Sequence, residues 1–517
     1  MNDLIAWSIL FPLLMGAFIL LAKAGGLQLQ QRISLLAVLT LTGLNLTLLA
    51  QSLSGDIQVY LLGNWPAPFG ITLVLDKLSA LMLVITAILA LISLIYAIST
   101  NLDQKGAHFH ILFQFILFGL NGAFLTGDVF NLFVFFEVLL LASYALLLHG
   151  GGKERTKAGL HYVIINLAGA TIFLFAVGAL YGILGTLNIA DMANKIPQLP
   201  KEDLGVVAAA GLLLLVVFAL KAALFPLYLW LPIAYSHTSA AVAALFAIMT
   251  KVGIYAIIRV HGTLFGENAG ELAHYHLPWV LGLGLITLLL AALGVMASTK
   301  LREQITYLIL ASVATLLIAV GINTPLALSA TLYYLIHSTF IAAAMLLLAD
   351  IILKGRGPIQ DKLESGYRIP NAVFIGSLFM FGAIAITGMP PLSGFFGKAL
   401  LLDAALEHPW YGYILTTVFI SSFIMIVSIT RTGSLIFYKT LPSPEPSVIT
   451  HNPKPANTLS KTAIILLLII SPILVLFAGA ITSFTESTAQ QYLNSKTYIE
   501  AVLTPPPIPE PYDKGKE

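Results

Sequence analysis

The stretch VFALKAALFPLYLWLP, residues 217–232, begins as a membrane helix and falters at its fifth residue. Lys221 places a full charge among Phe218, Leu220, Ala222, Leu224 and Phe225, and Pro226 and Pro232 each remove a backbone donor. A charge at mid-membrane costs about 2.5–3.5 kcal/mol on insertion scales. A broken membrane helix frees backbone groups that protein or water has to satisfy. Water held at the break would hydrate the lysine and carry protons, so break and charge read as one titratable half-way point.

The rest of the chain supports a bilayer setting. Its 517 residues are 58 % hydrophobic and 10 % charged, with a mean hydropathy of +0.93. A soluble domain of this size could not cover its surface with that composition, so the fold class is all-α and polytopic. Apolar runs near helix-crossing length recur at 4–22, 33–50, 77–98, 108–126, 128–148, 160–184, 204–226, 239–262, 277–297, 303–322, 327–353, 371–407 (broken), 413–438 and 460–484, which predicts 14 spans. The start MNDLIAW lacks a basic n-region, so residues 4–22 are expected to be the first span and not a cleaved leader. Cysteine is absent, which excludes thiolate, disulfide and iron–sulfur chemistry, and no cofactor is expected. A net charge of +2 points to no nucleic-acid partner.

With the N-terminus outside, inside loops hold fifteen Lys and Arg residues and outside segments six. That bias predicts N-out and C-out in the cytoplasmic (inner) membrane of a prokaryote. Five basic residues remain inside spans: Lys221, Lys251, Arg259, Lys398 and Arg431. Arg259 is near a helix end and is expected to snorkel to the interface. The loop LPSPEPSVITHNPKPANT and the tail TPPPIPEPYDKGKE are expected to be extended.

An internal repeat is visible. LLLASYALL (139–147) pairs with LILASVATL (308–316), LHYVII (160–165) with LYYLIH (332–337), and KVG (251–253) with RTG (431–433). The break after Lys221 pairs with TGMPPLSGFFGK (387–398). A unit of five helices used twice is inverted the second time, as in many secondary transporters. The expected divisions are 1–107 (helices 1–3), 108–262 (first repeat), 277–438 (inverted second repeat) and 439–517 (linker, helix 14 and Pro-rich tail).

Glu137 lies nine residues after Asp128 among Phe135, Phe136, Val138 and Leu139, about 14 Å into its helix at 1.5 Å per residue. A lone carboxylate there would take up a proton, and an ammonium nearby would keep it ionised; Lys221 is the candidate. Lys251 and Lys398 are too deep to snorkel easily, and lysine, unlike arginine, can lose its proton on burial. His337 can relay a proton near neutral pH. Asp76 and Asp128 read as helix N-caps, and His149 with its glycines as a helix end.

These residues sit in motifs that resemble the antiporter-like membrane subunits shared by respiratory complex I and the multisubunit Mrp-type sodium/proton antiporters. The markers are GNWPAPFGITLVLDKLSALML, the fifth-span glutamate, KAALFPLYLWLP, ALFAIMTKVGIYAIIR and GMPPLSGFFGKALLL. GNWPAPFGI and Tyr235 are most similar to the D-type subunits of the Mrp branch. The resemblance implies a 14-helix fold with inverted repeats and a midplane line of charge. It assigns ion translocation to Glu137, Lys221, Lys251, His337 and Lys398. Ile341, where relatives often carry lysine, and the tenth-span YLILASVAT depart from the family pattern. The implied function is exchange of Na⁺ (K⁺ and Li⁺ stay open) for protons within a hetero-oligomer. The alternative is a proton-pumping subunit of a complex I or hydrogenase type redox complex. No carboxylate cage marks a metal site.

Overall fold

The structure is a computed structural model that describes residues 3–441 and 456–504. The predicted Pro-rich loop and the tail beyond residue 504 therefore lie almost wholly outside the described residues. Among those residues, eleven helices are long and apolar enough to cross a membrane. One of the eleven stretches, Asp3–Ser52, contains two helices, Asp3–Leu21 and Gly26–Ser52, separated by the turn Ala22–Gly25. Phe109–Leu125 and Ala372–Thr387 are shorter and also apolar. The chain is a helical polytopic membrane protein, and each apolar run of the sequence coincides with helix.

Burial separates the centre from the rim. The Ala240–Leu264 span is wholly buried across its apolar window, whereas Lys153–Leu184 and Tyr411–Tyr438 bury 39 % of theirs. Ala240–Phe246, the first part of the buried span, packs against Pro325–Gly355, so the chain's two middle segments meet face to face. A helix buried all round needs no polar face, and this one is apolar apart from Thr250, Lys251, Arg259, His261 and Thr263. Its last turns widen into a π-helix at Ile257–His261, a form that concentrates at functional sites.

A small antiparallel hairpin was not anticipated. Gln58–Leu61 pairs with Thr72–Leu75 in the register Gln58 to Leu75. It delivers Asp76 as the N-cap of Lys77–Ser99, where a reciprocal capping box with Ser79 closes the first turn. Asp128 caps Val129–Leu147 through the Asn131 amide at 2.7 Å. Both cap expectations hold.

The reading of Arg259 needs correction. Its guanidinium does not snorkel. It is 4 % exposed and meets Asp76 at 2.6 Å, between the rings of Tyr255 and Tyr498. Snorkelling considers only a side chain's own helix. Here a carboxylate from another helix start reaches the charge first, and a buried pair with added hydrogen bonds offsets its desolvation.

In a loop outside the spans, Asp103 accepts from Gln31 at 2.6 Å and from His110 at 3.1 Å. Burial pushes its carboxyl up, but these two bonds outweigh burial and hold it below the ordinary carboxylate range.

Candidate functional site

The helix Lys201–Lys221 ends on Lys221, and helix resumes at Trp230. Protein groups bond part of the break. Trp230 Nε1 donates to the Leu220 carbonyl at 2.9 Å, and the Phe225 amide donates to Thr287 Oγ1 at 2.9 Å. Lys221 Nζ donates to Asn166 Oδ1 at 2.9 Å and lies 5.6 Å from the centre of the Phe136 ring. Beside it is a cavity of about 20 Å³ lined by Tyr162, Asn166, Lys221, Trp230, Met249 and Val252, among others. That volume suits about one water.

Glu137 is half-buried on Val129–Leu147. Among the described residues no ion pair within 4.0 Å joins it to Lys221, yet the two charges act on each other. The direct partner of Lys221 is thus Asn166, which sequence reasoning passed over. A single asparagine in an apolar run carries no charge signal, and only the fold brings it to the lysine.

Lys251 is wholly buried, and among the described residues its Nζ has no hydrogen-bond partner. Two residues on, Gly253 touches the break: a Cβ there would lie 2.5 Å from the Ala222 amide nitrogen. The glycine lets the Lys251 span lie directly on the end of the Lys221 helix.

In the second half, Ala372–Thr387 ends before a break and Ser393–Ala404 follows. Lys398 Nζ donates back across the break to the Thr387 carbonyl at 2.8 Å and to Ser422 Oγ at 2.9 Å. His337 is buried, with Nδ1 2.7 Å from Ser393 Oγ, which is itself 2.8 Å from Ser471 Oγ. A Cβ on Gly394 would stand 2.8 Å from His337 Nε2, so the absent side chain again permits the approach. The structure thus sets Lys221 against the Lys251 span at the first break, and His337 with Lys398 at the second, where a Cβ on Gly388 would lie 2.9 Å from the Lys398 side chain and one on Gly394 close to both His337 and Gly388. Glu137 stands at the edge. Tyr235 donates to the Phe246 carbonyl at 2.6 Å and so ties the first break to the buried span.

Residues 126–425 match the family model described as NADH:quinone oxidoreductase/Mrp antiporter, TM. The chain is 37 % identical to the D-type subunit of a probable K(+)/H(+) antiporter from Rhizobium meliloti (strain 1021), covering 98 % of each. It is 36 % identical to the D-type subunit of a Na(+)/H(+) antiporter from Alkalihalophilus pseudofirmus, covering 97 % of this chain and 100 % of the relative. A chain in the solved Mrp complex from Dietzia sp. DQ12-45-1b superposes with a TM-score of 0.86 at 26 % identity, covering 97 % and 99 %. Two broken helices, each with a lysine beside the break, and the wholly buried Lys251 in the span packed on the first break agree with these matches: the chain belongs to the NADH:quinone oxidoreductase/Mrp antiporter family of membrane proteins.

Proposed function

We propose that this chain is the D-type subunit of a multisubunit monovalent-cation/proton antiporter, a secondary transporter in a prokaryotic cytoplasmic membrane, in which proton influx drives Na⁺ efflux. Its D-type relatives, named for Na(+)/H(+) and for K(+)/H(+) exchange, support a monovalent cation. In this reading the chain crosses the bilayer fourteen times: the eleven long helices, one more because Asp3–Ser52 holds two, and the two shorter ones. Both termini are outside. Residues 108–262 and 277–438 form inverted five-helix units, flanked by 1–107 and 439–517.

Protons pass along Glu137, Lys221, Lys251, His337 and Lys398. The observation that carries this is Lys251, wholly buried in the span packed on the first break and, among the described residues, with no partner for its Nζ. A scaffold gains nothing from burying such a group, whereas a proton carrier needs one free to load and unload. Glu137 sets the charge state of Lys221. It lies on a face where Phe130, Val134 and Leu141 are exposed, and a carboxylate facing lipid is costly, so another protein of the complex covers that face. Intact complex in vesicles tests the relay. Lys251→Ala should assemble and lose cation-driven proton movement; normal antiport by the assembled variant would remove the relay.

A further inference from the structure

Away from the buried charges, an open apolar groove of about 1050 Å³ runs between Ala372–Thr387 and Tyr411–Gly433, with the π-helical continuation Ser434–Tyr438. Its walls include Val373, Phe379, Met380, Ile429 and Phe437. Val373 is 75 % exposed and Met380 62 %. Two glycines let aromatic wall residues pack close to the helices: a Cβ on Gly376 would press on the Phe437 ring, and one on Gly433 on the Phe379 ring, each at 3.2 Å.

The groove has a charged mouth. Arg368 lines both it and an adjoining cavity of about 750 Å³ that reaches Lys461. Lys461 Nζ lies 5.7 Å from the centre of the Phe374 ring. Among the described residues neither cation has an ion-pair partner. An apolar channel ending in two cations that no described carboxylate pairs with matches a molecule with an acyl chain and a net negative head. Basic pockets between membrane helices select such head groups. A zwitterionic lipid would bring its own ammonium toward Arg368 and Lys461. A partner helix would fill the apolar part and leave the cations unmatched.

We propose that this groove binds an anionic phospholipid, its phosphate between Arg368 and Lys461 and an acyl chain along Ala372–Thr387. The far end of the groove reaches Met389, in the break whose Thr387 carbonyl accepts from Lys398. The bound chain therefore packs against the segment that holds Lys398.

The intact complex, equilibrated with vesicles of phosphatidylcholine and phosphatidylglycerol, is suited to native mass spectrometry. Phosphatidylglycerol should be retained in preference to phosphatidylcholine. Retention should fall roughly tenfold or more in Arg368→Gln/Lys461→Gln, on the scale of two membrane-surface cations, and should persist in Arg368→Lys. A photoactivatable phosphatidylglycerol should label residues 373–384 of the unaltered complex, which decides the matter even if a variant assembles poorly. Equal retention of the two lipids, unchanged retention in the double variant, or displacement by inorganic phosphate alone would overturn the proposal. The chain has no cysteine of its own, so a Ser377→Cys cross-link to another protein of the complex would likewise overturn it, by giving the groove to a polypeptide.

Discussion

Each half of the molecule breaks a helix beside a lysine, and the two halves hold that lysine in different ways. Lys221 is the last residue before its break and reaches out to Asn166 on a neighbouring helix. Lys398 follows its break and reaches back to Thr387, the last residue of the preceding helix, and to Ser422. Asn166 offers a side-chain amide that can itself rotate away, whereas the Thr387 carbonyl is main chain and stays with its helix end. The first lysine also feels Glu137. The second is held by neutral oxygens, and among the described residues no carboxylate forms an ion pair with it. In the proposed relay the first break would therefore act as a switch and the second as a latch.

The sharpest attack on this contrast is Glu137→Gln. It removes the carboxylate that acts on Lys221 and leaves shape almost unchanged. Antiport in vesicles should be nearly abolished while the complex still assembles; an assembled variant with normal exchange would erase the distinction. Next in size is Asn166→Leu, which strips Lys221 of its tether. A hydrogen bond to a charged group contributes about 1.5–3 kcal/mol, so the antiport rate should drop roughly tenfold to a hundredfold. Rates equal to the unaltered complex would show that the tether is idle.

The latch is tested by Lys398→Glu against Lys398→Ala at matched expression. Glutamate can accept from Ser422 and, when protonated, donate to the Thr387 carbonyl, whereas alanine does neither. Glutamate should therefore keep more transport, and equal loss in both would count against a relay at this position. Smallest is Asp103→Asn, which touches neither break. Its carboxyl is held below the ordinary range, so the stability it adds is present above that range and lost as pH falls through the lowered value. A thermal-shift series should show a loss of about 1–3 kcal/mol at neutral pH that fades in acid, with antiport kinetics unchanged in the surviving complex.

Much of this was legible before any coordinates. The spans follow from apolar run length, the breaks from Pro226 and from Pro390 with Pro391, and the caps from Asp76 and Asp128. Those signals are local, because each is a property of consecutive residues. What stayed hidden depends on which helices touch. Asn166 reads as an ordinary amide until the fold sets it against Lys221. Arg259 reads as a snorkelling cation until Asp76 arrives from far along the chain. The hairpin escaped notice because its strands are four residues each and surround a turn with Pro66, Pro68 and Gly70.

The Arg259 pocket also carries a timetable. Membrane chains are made from the N-terminus, and early segments fold before late ones exist. Asp76 and Arg259 can pair once the Ala240–Leu264 span is made. Their cover comes later: Tyr498 stacks on the guanidinium and Tyr492 donates to the Ile258 carbonyl inside the π-helix. Lys77, next to Asp76, is bound in turn by Gln491 and Ser487. A ribosome that stalls before these residues leaves a polypeptide with most of its spans and an arginine still lacking its lid. The order of synthesis is thus recorded at one spot, where later helices seal a charge that the middle of the chain left open.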